Sequence, residues 1–559
     1  MNEYFTGDAG QRRVQWMALL AVAVLSVMAS LSGIQNGFAL DDVHIIVENN
    51  RVHALSQAWR MFGQTYWPPD EGASLYRPLT IVVFAIQWAV GHGSAFPFHL
   101  TNILLYAIVA IALFRLALLL VPLPAAFVAA ALFAVHPLHT EVVANVVGQA
   151  EQWVALLVIF AVFRYIRARR KGALSYREVA ILAALYFAAC MFKEHAIVLP
   201  ALLVAAEFTV VEDNRRIVGR ARELWPLFAT LLVAGTLFVF LRTLVVGRVA
   251  QGGPNVLLLG VPFSTRLFTM LRVFMEWIRL FVWPANLSAD YSSRRIEAAT
   301  SFDMSMVAPL LVIASLVAIA WSVRRSKPAV TFGFLWAGVN LLMPSNLVLV
   351  TGNVLAERTL FLASAGLAIC AGVAALELWN AMSGRGSAPR LATAAALVGL
   401  LAAGIFRSST RNVAWHDNET LFKQTVADVP TSYRAHWMLA EYLTDAGQTA
   451  EGLDEMLLAV ALGRKNDPGL LSFAADRFRM ANQCPRAMGM YRKALDIDPT
   501  LPDLRFKASV CLLQLGKFDE AKALARQGLK SASNDGHLQR VLVVADSLAN
   551  LSKKRISAG

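Results

Sequence analysis

Six groups of polar and ionisable residues interrupt a chain that is otherwise strongly apolar. Their carboxylates could act as a general base, and their Arg and Lys side chains could bind an anionic head group and stabilise charge developing on it. The adjacent Asp41 and Asp42 could instead hold Mg²⁺ or Mn²⁺, or could merely cap a helix. The groups are Asp41, Asp42 and His44; Tyr76 and Arg77; His136, His139 and Glu141; Lys193, Glu194 and His195; Asp290 and Tyr291; and Glu357 and Arg358.

The composition around these groups is that of a membrane protein. Of the 559 residues, 57% are hydrophobic and only 16% are charged, against about 25% charged in soluble proteins. A soluble domain cannot bury that much apolar surface. The four cysteines exclude a disulfide scaffold, and no Cys/His cluster suggests structural zinc. The net charge of +13 comes from short basic runs between apolar segments, which is typical of cytoplasmic loops rather than of a nucleic-acid-binding surface.

The basic runs orient the membrane segments. The first apolar segment covers residues 16–34, and a signal peptide is the weaker interpretation because no cleavage site follows and many more spans do. By the positive-inside rule the basic runs at 164–171, 215–222, 324–327 and 385–390 are cytoplasmic. This predicts about eleven spans, an N-terminus inside, and all six polar groups on the outer face. Two apolar stretches, at 79–90 and around 266–279, are predicted to lie in the membrane plane.

The sequence becomes polar and amphipathic after residue 406. Gly447, Asn482 and Gly516 occupy equivalent turns 35 and 34 residues apart, and small residues recur at matching offsets. This period is typical of tetratricopeptide repeats, with an unrelated helical bundle as the alternative. The sequence therefore predicts an all-α chain: a polytopic membrane domain at 1–406 with a first outer loop at 36–99, then a repeat α-solenoid at 407–559 of about three repeats and a capping helix.

The order of these motifs resembles a known family. The motifs are Asp41-Asp42, Tyr76-Arg77-Pro78, His136-Pro137-x-His139-Thr140-Glu141, Lys193-Glu194, Leu287-Ser288-x-Asp290-Tyr291 and Glu357-Arg358. In this order they resemble the transmembrane and tetratricopeptide repeat-containing O-mannosyltransferases, in a shorter form of bacterial type. That family consists of GT-C glycosyltransferases, which use a polyprenyl-phosphate-linked sugar on the non-cytoplasmic side. The resemblance implies a multi-pass protein of the bacterial inner membrane with periplasmic repeats.

The resemblance assigns roles to the six groups. Asp41, Asp42 and Glu141 become the catalytic candidates. Their charge makes Arg77, Lys193 and Arg358 the candidates for the donor phosphate. The sequence departs from the family pattern at Gln149, at His195 and at Thr359, which puts the identity of the sugar in doubt. The remaining residues are predicted to contact substrate: His44, Tyr76, His136, His139, Glu194, His195, Asp290, Tyr291 and Glu357.

These predictions describe a transferase that moves a hexose such as mannose from a polyprenyl-phosphate donor to Ser or Thr of envelope proteins. A single displacement with inversion is favoured because no second carboxylate is placed as a nucleophile. The repeats are a candidate binding surface for the acceptor, and no nucleic-acid partner is expected. Two alternatives stay open: the same fold acting on a glycan or lipid, and a non-enzymatic repeat scaffold for envelope assembly.

Overall fold

The computed structural model describes residues 9–69, 75–213, 215–247, 257–291, 296–463, 467–500, 503–532 and 534–558. Within these ranges the chain is helical and contains no β-strand, which confirms the predicted all-α class. The chain divides into two compact units, the first reaching Leu421 and the second continuing from Phe422.

Within the described residues, fifteen α-helices form the first unit and the connection to the second. They are α1 (Ala9–Ser30), α2 (Pro78–Gly91), α3 (Phe96–Leu120), α4 (Leu123–Val135), α5 (Thr140–Ala144), α6 (Gln149–Arg169), α7 (Tyr176–Phe192), α8 (Leu199–Thr209), α9 (Ile217–Val246), α10 (Phe263–Val282), α11 (Val307–Val323), α12 (Pro328–Leu341), α13 (Phe361–Ser383), α14 (Ser387–Val413) and α15 (Asn418–Asp428). Helix α14 runs through the domain boundary predicted at residue 406, and α15 contains the division between the units.

Seven helices of the described chain are long and apolar enough to cross a membrane, or eight if the bent pair formed by α4 and 137–144 is one span. The chain is therefore a multi-pass membrane protein, but the prediction of about eleven spans is not confirmed. Eleven crossings would require α7, α8 and α12 as well. These helices have 17, 11 and 14 residues, fewer than the roughly 20 that a bilayer core requires.

Local sequence explains where several of these helices begin and how closely they pack. Proline occupies the first turn of α2, α4, α8 and α12, where its missing N–H costs nothing. Helices α12 and α13 touch through Gly333 and Gly366: a Cβ on Gly366 would lie 2.3 Å from the Gly333 carbonyl oxygen. Small residues of this kind let membrane helices approach each other closely.

Helix α10 has the amphipathic character predicted for the second in-plane segment. Met270, Val273, Trp277 and Leu280 are buried on one side and pack in a cluster with Leu287. Its placement in the membrane plane, like that of α2, stays a prediction.

The basic runs predicted to be cytoplasmic are partly ion-paired. Arg169, whose side chain is 1% exposed, contacts Glu207 at 2.8 Å, Asp213 at 2.9 Å and Glu223 at 2.7 Å. Arg220 contacts Glu207 as well. A buried charge is tolerated only when it is paired, so this cluster joins α6, α8 and α9 at the predicted cytoplasmic end.

The second unit contains the predicted repeats. Helix pairs α16/α17, α18/α19 and α20/α21 precede a final helix α22, with these bounds: α16 (Tyr433–Asp445), α17 (Thr449–Leu462), α18 (Pro468–Met480), α19 (Cys484–Ile497), α20 (Leu504–Gln514), α21 (Phe518–Ser531) and α22 (Gly536–Ala558). Gly447, Asn482 and Gly516 all have positive φ, of 84°, 58° and 73°. These are the turn conformations that glycine and asparagine tolerate best, which explains the recurrence of the two residue types.

A disulfide that the sequence did not predict joins two repeats. Cys484 at the start of α19 is bonded to Cys511 of α20, with their Cα atoms 5.2 Å apart, and both residues are buried. Cys190 and Cys370 of the first unit are free. The exclusion of a disulfide-rich scaffold is compatible with one bond of this kind, but the pairing depends on a contact between consecutive repeats that spacing alone does not reveal.

Candidate active site

Arg358 brings together residues that are far apart in the sequence. Its guanidinium lies 2.9 Å from a carboxylate oxygen of Glu141 and 3.7 Å from one of Asp41. Its backbone N–H donates to the other Glu141 oxygen at 2.8 Å. Three segments thus meet at one arginine: the first outer loop, the bend after α4 and the segment before α13.

Asp41 and Asp42 are adjacent in sequence but have different surroundings. The side chain of Asp41 is 27% exposed, whereas Asp42 is buried and accepts hydrogen bonds from the backbone N–H groups of Val147 at 2.9 Å and Val146 at 3.2 Å. Leu40, directly before them, has a positive φ of 55°. A bulky residue in this conformation is costly and is found mainly where the surrounding structure enforces it.

Burial raises the pKa of Asp42 to about 7, although the backbone hydrogen bonds oppose this shift. The Asp42 carboxyl group accepts hydrogen bonds from three backbone N–H groups, those of Ala39, Val146 and Val147. Asp41 is the member of the pair that can reach an external proton.

The acid pair does not fit a shared metal site. Both oxygens of Asp42 are occupied by backbone N–H groups, so the two carboxylates do not present their oxygens to one ion. Across the part of the chain that the structure describes, no group of three or more His, Cys, Asp or Glu residues is arranged to hold a metal ion.

Arg77 is paired with Glu194. The two side chains form a two-pronged ion pair at 2.6 and 2.9 Å, and the guanidinium lies 4.9 Å from the centre of the Tyr66 ring. Paired contacts of this kind hold a guanidinium in a defined orientation. Glu194 therefore pairs with Arg77 and not with Lys193, its neighbour in the sequence.

Lys193 is paired with Glu151, a residue that the sequence analysis missed. Glu151 lies in the first turn of α6 and also approaches His195, at 3.3 Å from its Nε2 atom. Glu151 could have been identified from the sequence because it is an acidic residue inside an apolar span, where an ionisable group usually has a partner or a function. Lys193 also lies close enough to Arg77 and Arg358 for their positive charges to repel each other.

Glu357 holds the loop that carries Asp290 and Tyr291. One Glu357 oxygen accepts a hydrogen bond from the Ser288 backbone N–H at 2.7 Å and another from the Tyr291 hydroxyl at 2.5 Å. The Asp290 backbone N–H donates to the Ser288 hydroxyl. Glu357 and Asp290 are both buried, so this loop is held firmly beside Arg358.

The remaining predicted residues lie in two environments. Tyr76 donates its hydroxyl to the Phe62 carbonyl at 2.8 Å, and His136 lies 3.0 Å from the Phe281 carbonyl. His139 is buried and is hydrogen-bonded to Ser364 at 2.9 Å. His44, in contrast, forms an exposed pair with Glu48. The first three side chains contact the protein itself, and their geometry suits a supporting role.

Gln149 is one of the departures from the family pattern, and it belongs to a buried amide network. Its Nε2 donates to Asn102 at 2.6 Å, and Gln87 donates to its Oε1 at 3.0 Å. Asn102 in turn donates to the carbonyls of Val143 and Asn145. Because these carbonyls belong to the segment between Glu141 and the amides that bind Asp42, the network holds the backbone on which both acids depend.

The site thus contains three cations, each with its own carboxylate partner: Arg77 with Glu194, Lys193 with Glu151, and Arg358 with Glu141. Asp41 approaches Arg358 as a second, more distant carboxylate. Together with the fold, this arrangement defines a multi-pass helical membrane protein with an ion-paired polar site and a tetratricopeptide repeat domain.

Comparison with known proteins agrees with that class. A family model for the tetratricopeptide repeat matches residues 479–543. The chain is 26% identical over 451 residues to the protein O-mannosyl-transferase F38B6.6 of Caenorhabditis elegans, covering 78% of this chain and 61% of that protein. It is 26% identical over 506 residues to human protein O-mannosyl-transferase TMTC1, covering 82% of this chain and 57% of the relative.

A third relative, mouse protein O-mannosyl-transferase TMTC4, is 25% identical over 490 residues and is matched over 65% of its length. The chain spans about three fifths of the length of these curated relatives. The resemblance to the transmembrane and tetratricopeptide repeat-containing O-mannosyltransferases is confirmed. Among solved structures, the crystal structure of ArnT from Cupriavidus metallidurans bound to undecaprenyl phosphate has a TM-score of 0.36 at 13% identity, covering 91% of this chain and 79% of that one.

Proposed function

We propose that the chain is a membrane glycosyltransferase of the GT-C type. It moves a hexose such as mannose from a polyprenyl-phosphate donor to Ser or Thr hydroxyls of proteins, on the non-cytoplasmic side of a bacterial inner membrane. The observation that carries the proposal is the meeting of Asp41, Glu141 and Arg358 at a partly open position. The protein O-mannosyltransferases named above support it through their sequence similarity.

In the proposed reaction the acceptor oxygen attacks the anomeric carbon of the sugar. The bond between that carbon and the phosphate oxygen breaks, and polyprenyl phosphate leaves with the electron pair. Asp41 takes the hydroxyl proton because it is the partly exposed carboxylate at the site. Arg358, Lys193 and Arg77 stabilise the negative charge that develops on the leaving phosphate. One displacement on one face of the sugar inverts the anomeric centre.

Asp42 and Glu141 have positioning roles in this proposal. Asp42 holds the backbone of Val146 and Val147 against the first outer loop. Glu141 holds both the backbone and the guanidinium of Arg358. Reacting groups must be held within a few tenths of an ångström for efficient transfer, and buried hydrogen bonds to backbone provide that rigidity.

The disulfide supports the proposed side of the membrane. Disulfides persist in oxidising compartments such as the bacterial periplasm and are rare in the cytosol. The Cys484–Cys511 bond therefore agrees with the periplasmic repeats inferred from the basic loops. In this proposal the repeats bind the acceptor protein.

We expect thiol labelling to separate the two sides of the membrane. Protein denatured without reductant should react with a maleimide at two cysteines, Cys190 and Cys370, and at all four after reduction. In a variant without native cysteines, Lys517→Cys should be labelled from outside intact spheroplasts, and Lys171→Cys only after permeabilisation. Labelling of Lys171→Cys alone in intact spheroplasts would reverse the proposed topology.

The proposed activity is tested with purified protein in lipid nanodiscs. Given polyprenyl-phosphate mannose and extracted envelope proteins, it should attach a hexose to Ser or Thr, detected by peptide mass spectrometry. Envelope proteins from cells that lack the gene should lose the same modification. If hexose is found only on a glycan or a lipid, the acceptor is a glycan or a lipid and not a protein. If no glycan changes when the gene is absent, a non-enzymatic scaffold is favoured.

A further inference from the structure

Glu151 is an acidic residue at membrane depth that neither the motifs nor the proposed reaction uses. It lies in the first turn of α6 and is 4% exposed. An ionised carboxylate at this depth is costly unless it is paired. One of its oxygens contacts the Lys193 ammonium, and the other faces His195 at 3.3 Å.

The pairing of neighbouring charges assigns Glu151 to Lys193. Glu194, which is adjacent to Lys193 in the chain, gives both of its oxygens to Arg77. The Nε2 atom of His195 is buried and lies 3.3 Å from a Glu151 oxygen without forming a hydrogen bond to it. Helix α6 therefore pairs its carboxylate with Lys193, which follows α7, and places it beside His195.

We propose that Glu151 is a positioning residue that holds the Lys193 ammonium in the donor-phosphate site and balances its charge. This inference rests on the proposed function, in which Lys193 contacts the phosphate. The charge balance matters most after transfer, because the released carrier phosphate has one more negative charge than the donor. With Glu151 ionised, Lys193 attracts that product less strongly, and the site can release it.

The proposal predicts opposite changes in binding and turnover for Glu151→Gln. Glutamine keeps the shape and one acceptor oxygen but removes the negative charge. The KM for the donor and the inhibition constant of added polyprenyl phosphate should both fall about tenfold. The kcat should fall by a similar factor because product release becomes slow. A purely structural role would reduce the yield of folded enzyme and leave the KM and the inhibition constant unchanged.

Three further variants test whether the effect passes through Lys193. In Glu151→Asp the charge is retained, so the inhibition constant should stay near that of the wild type. In a Lys193→Ala background, Glu151→Gln should no longer change the inhibition constant, because coupled residues are not additive. Glu178→Gln is the matched control, since it breaks the partly buried Arg164–Glu178 pair between α6 and α7 and should leave both constants unchanged.

The outcomes distinguish this inference from the proposed function. Wild-type protein that neither transfers the sugar nor binds polyprenyl phosphate would overturn both. The role of Glu151 alone would be overturned by two other results, each obtained while the wild type is active. In the first, Glu151→Gln leaves the inhibition constant unchanged. In the second, Glu151→Gln changes the inhibition constant equally in the wild-type and Lys193→Ala backgrounds. If Glu151→Gln is not recovered in folded form, the double variant, which removes both buried charges together, is compared with Lys193→Ala. If the double variant and Lys193→Ala differ in their inhibition constants, Glu151 does not act through Lys193.

Discussion

Replacing Asp41 with Asn is expected to lower sugar transfer by about a hundredfold to ten-thousandfold, the usual contribution of a general base. Asparagine has nearly the same shape but cannot accept the hydroxyl proton. Because Asp41 is partly exposed and its ion pair with Arg358 is long, at 3.7 Å, the variant should insert and fold like the wild type. The measurement is kcat/KM in nanodiscs, normalised to the monodisperse yield from size-exclusion chromatography.

Two neighbouring acids provide controls for that result. Asp42→Asn should also lose transfer, but with a reduced yield, because an amide nitrogen would face the backbone N–H groups that the carboxylate now accepts. Glu48→Gln changes an exposed acid of the same loop and should retain full activity. Wild-type turnover in Asp41→Asn would show that Asp41 is not the base.

Replacing Arg358 with Ala is expected to lower the use of donor by about a hundredfold to a thousandfold, as for the loss of a preorganised donor to a developing oxyanion. Arg358→Lys should recover only part of the loss, because an ammonium cannot reproduce the fork that contacts Glu141 and approaches Asp41. The measurement is kcat/KM for the polyprenyl-phosphate donor.

The loss of Arg358 also leaves Glu141 buried without its partner, and that cost must be separated from the loss of chemistry. The double variant Arg358→Met/Glu141→Gln removes both charges together, which usually restores much of the stability. We expect it to recover the folded yield of the wild type without recovering transfer. If the double variant recovers transfer, Arg358 has only a structural role.

Much of the architecture follows from local properties of the sequence. These local properties are the apolar segments, the basic runs and the recurrence of turn residues at Gly447, Asn482 and Gly516. Each depends on residues that are close together in the chain, so it can be recognised without knowing the tertiary structure. The period of the repeats in particular reflects helices that pack against their immediate neighbours. The number of spans is harder to predict because short helices such as α2 and α12 are apolar whether they cross the membrane or pack within the protein.

Most residues of the polar site could also be recognised from the sequence, because ionisable residues in an apolar chain are few and conspicuous. Their pairing could not, because an ion pair depends on which helices lie side by side. Lys193 and Glu194 are adjacent in the sequence, yet in the fold Glu194 pairs with Arg77 and Glu151 pairs with Lys193. The same packing separates Asp41 from Asp42: two adjacent carboxylates look alike in sequence, and only the backbone N–H groups of Val146 and Val147, more than a hundred residues away, make one of them structural.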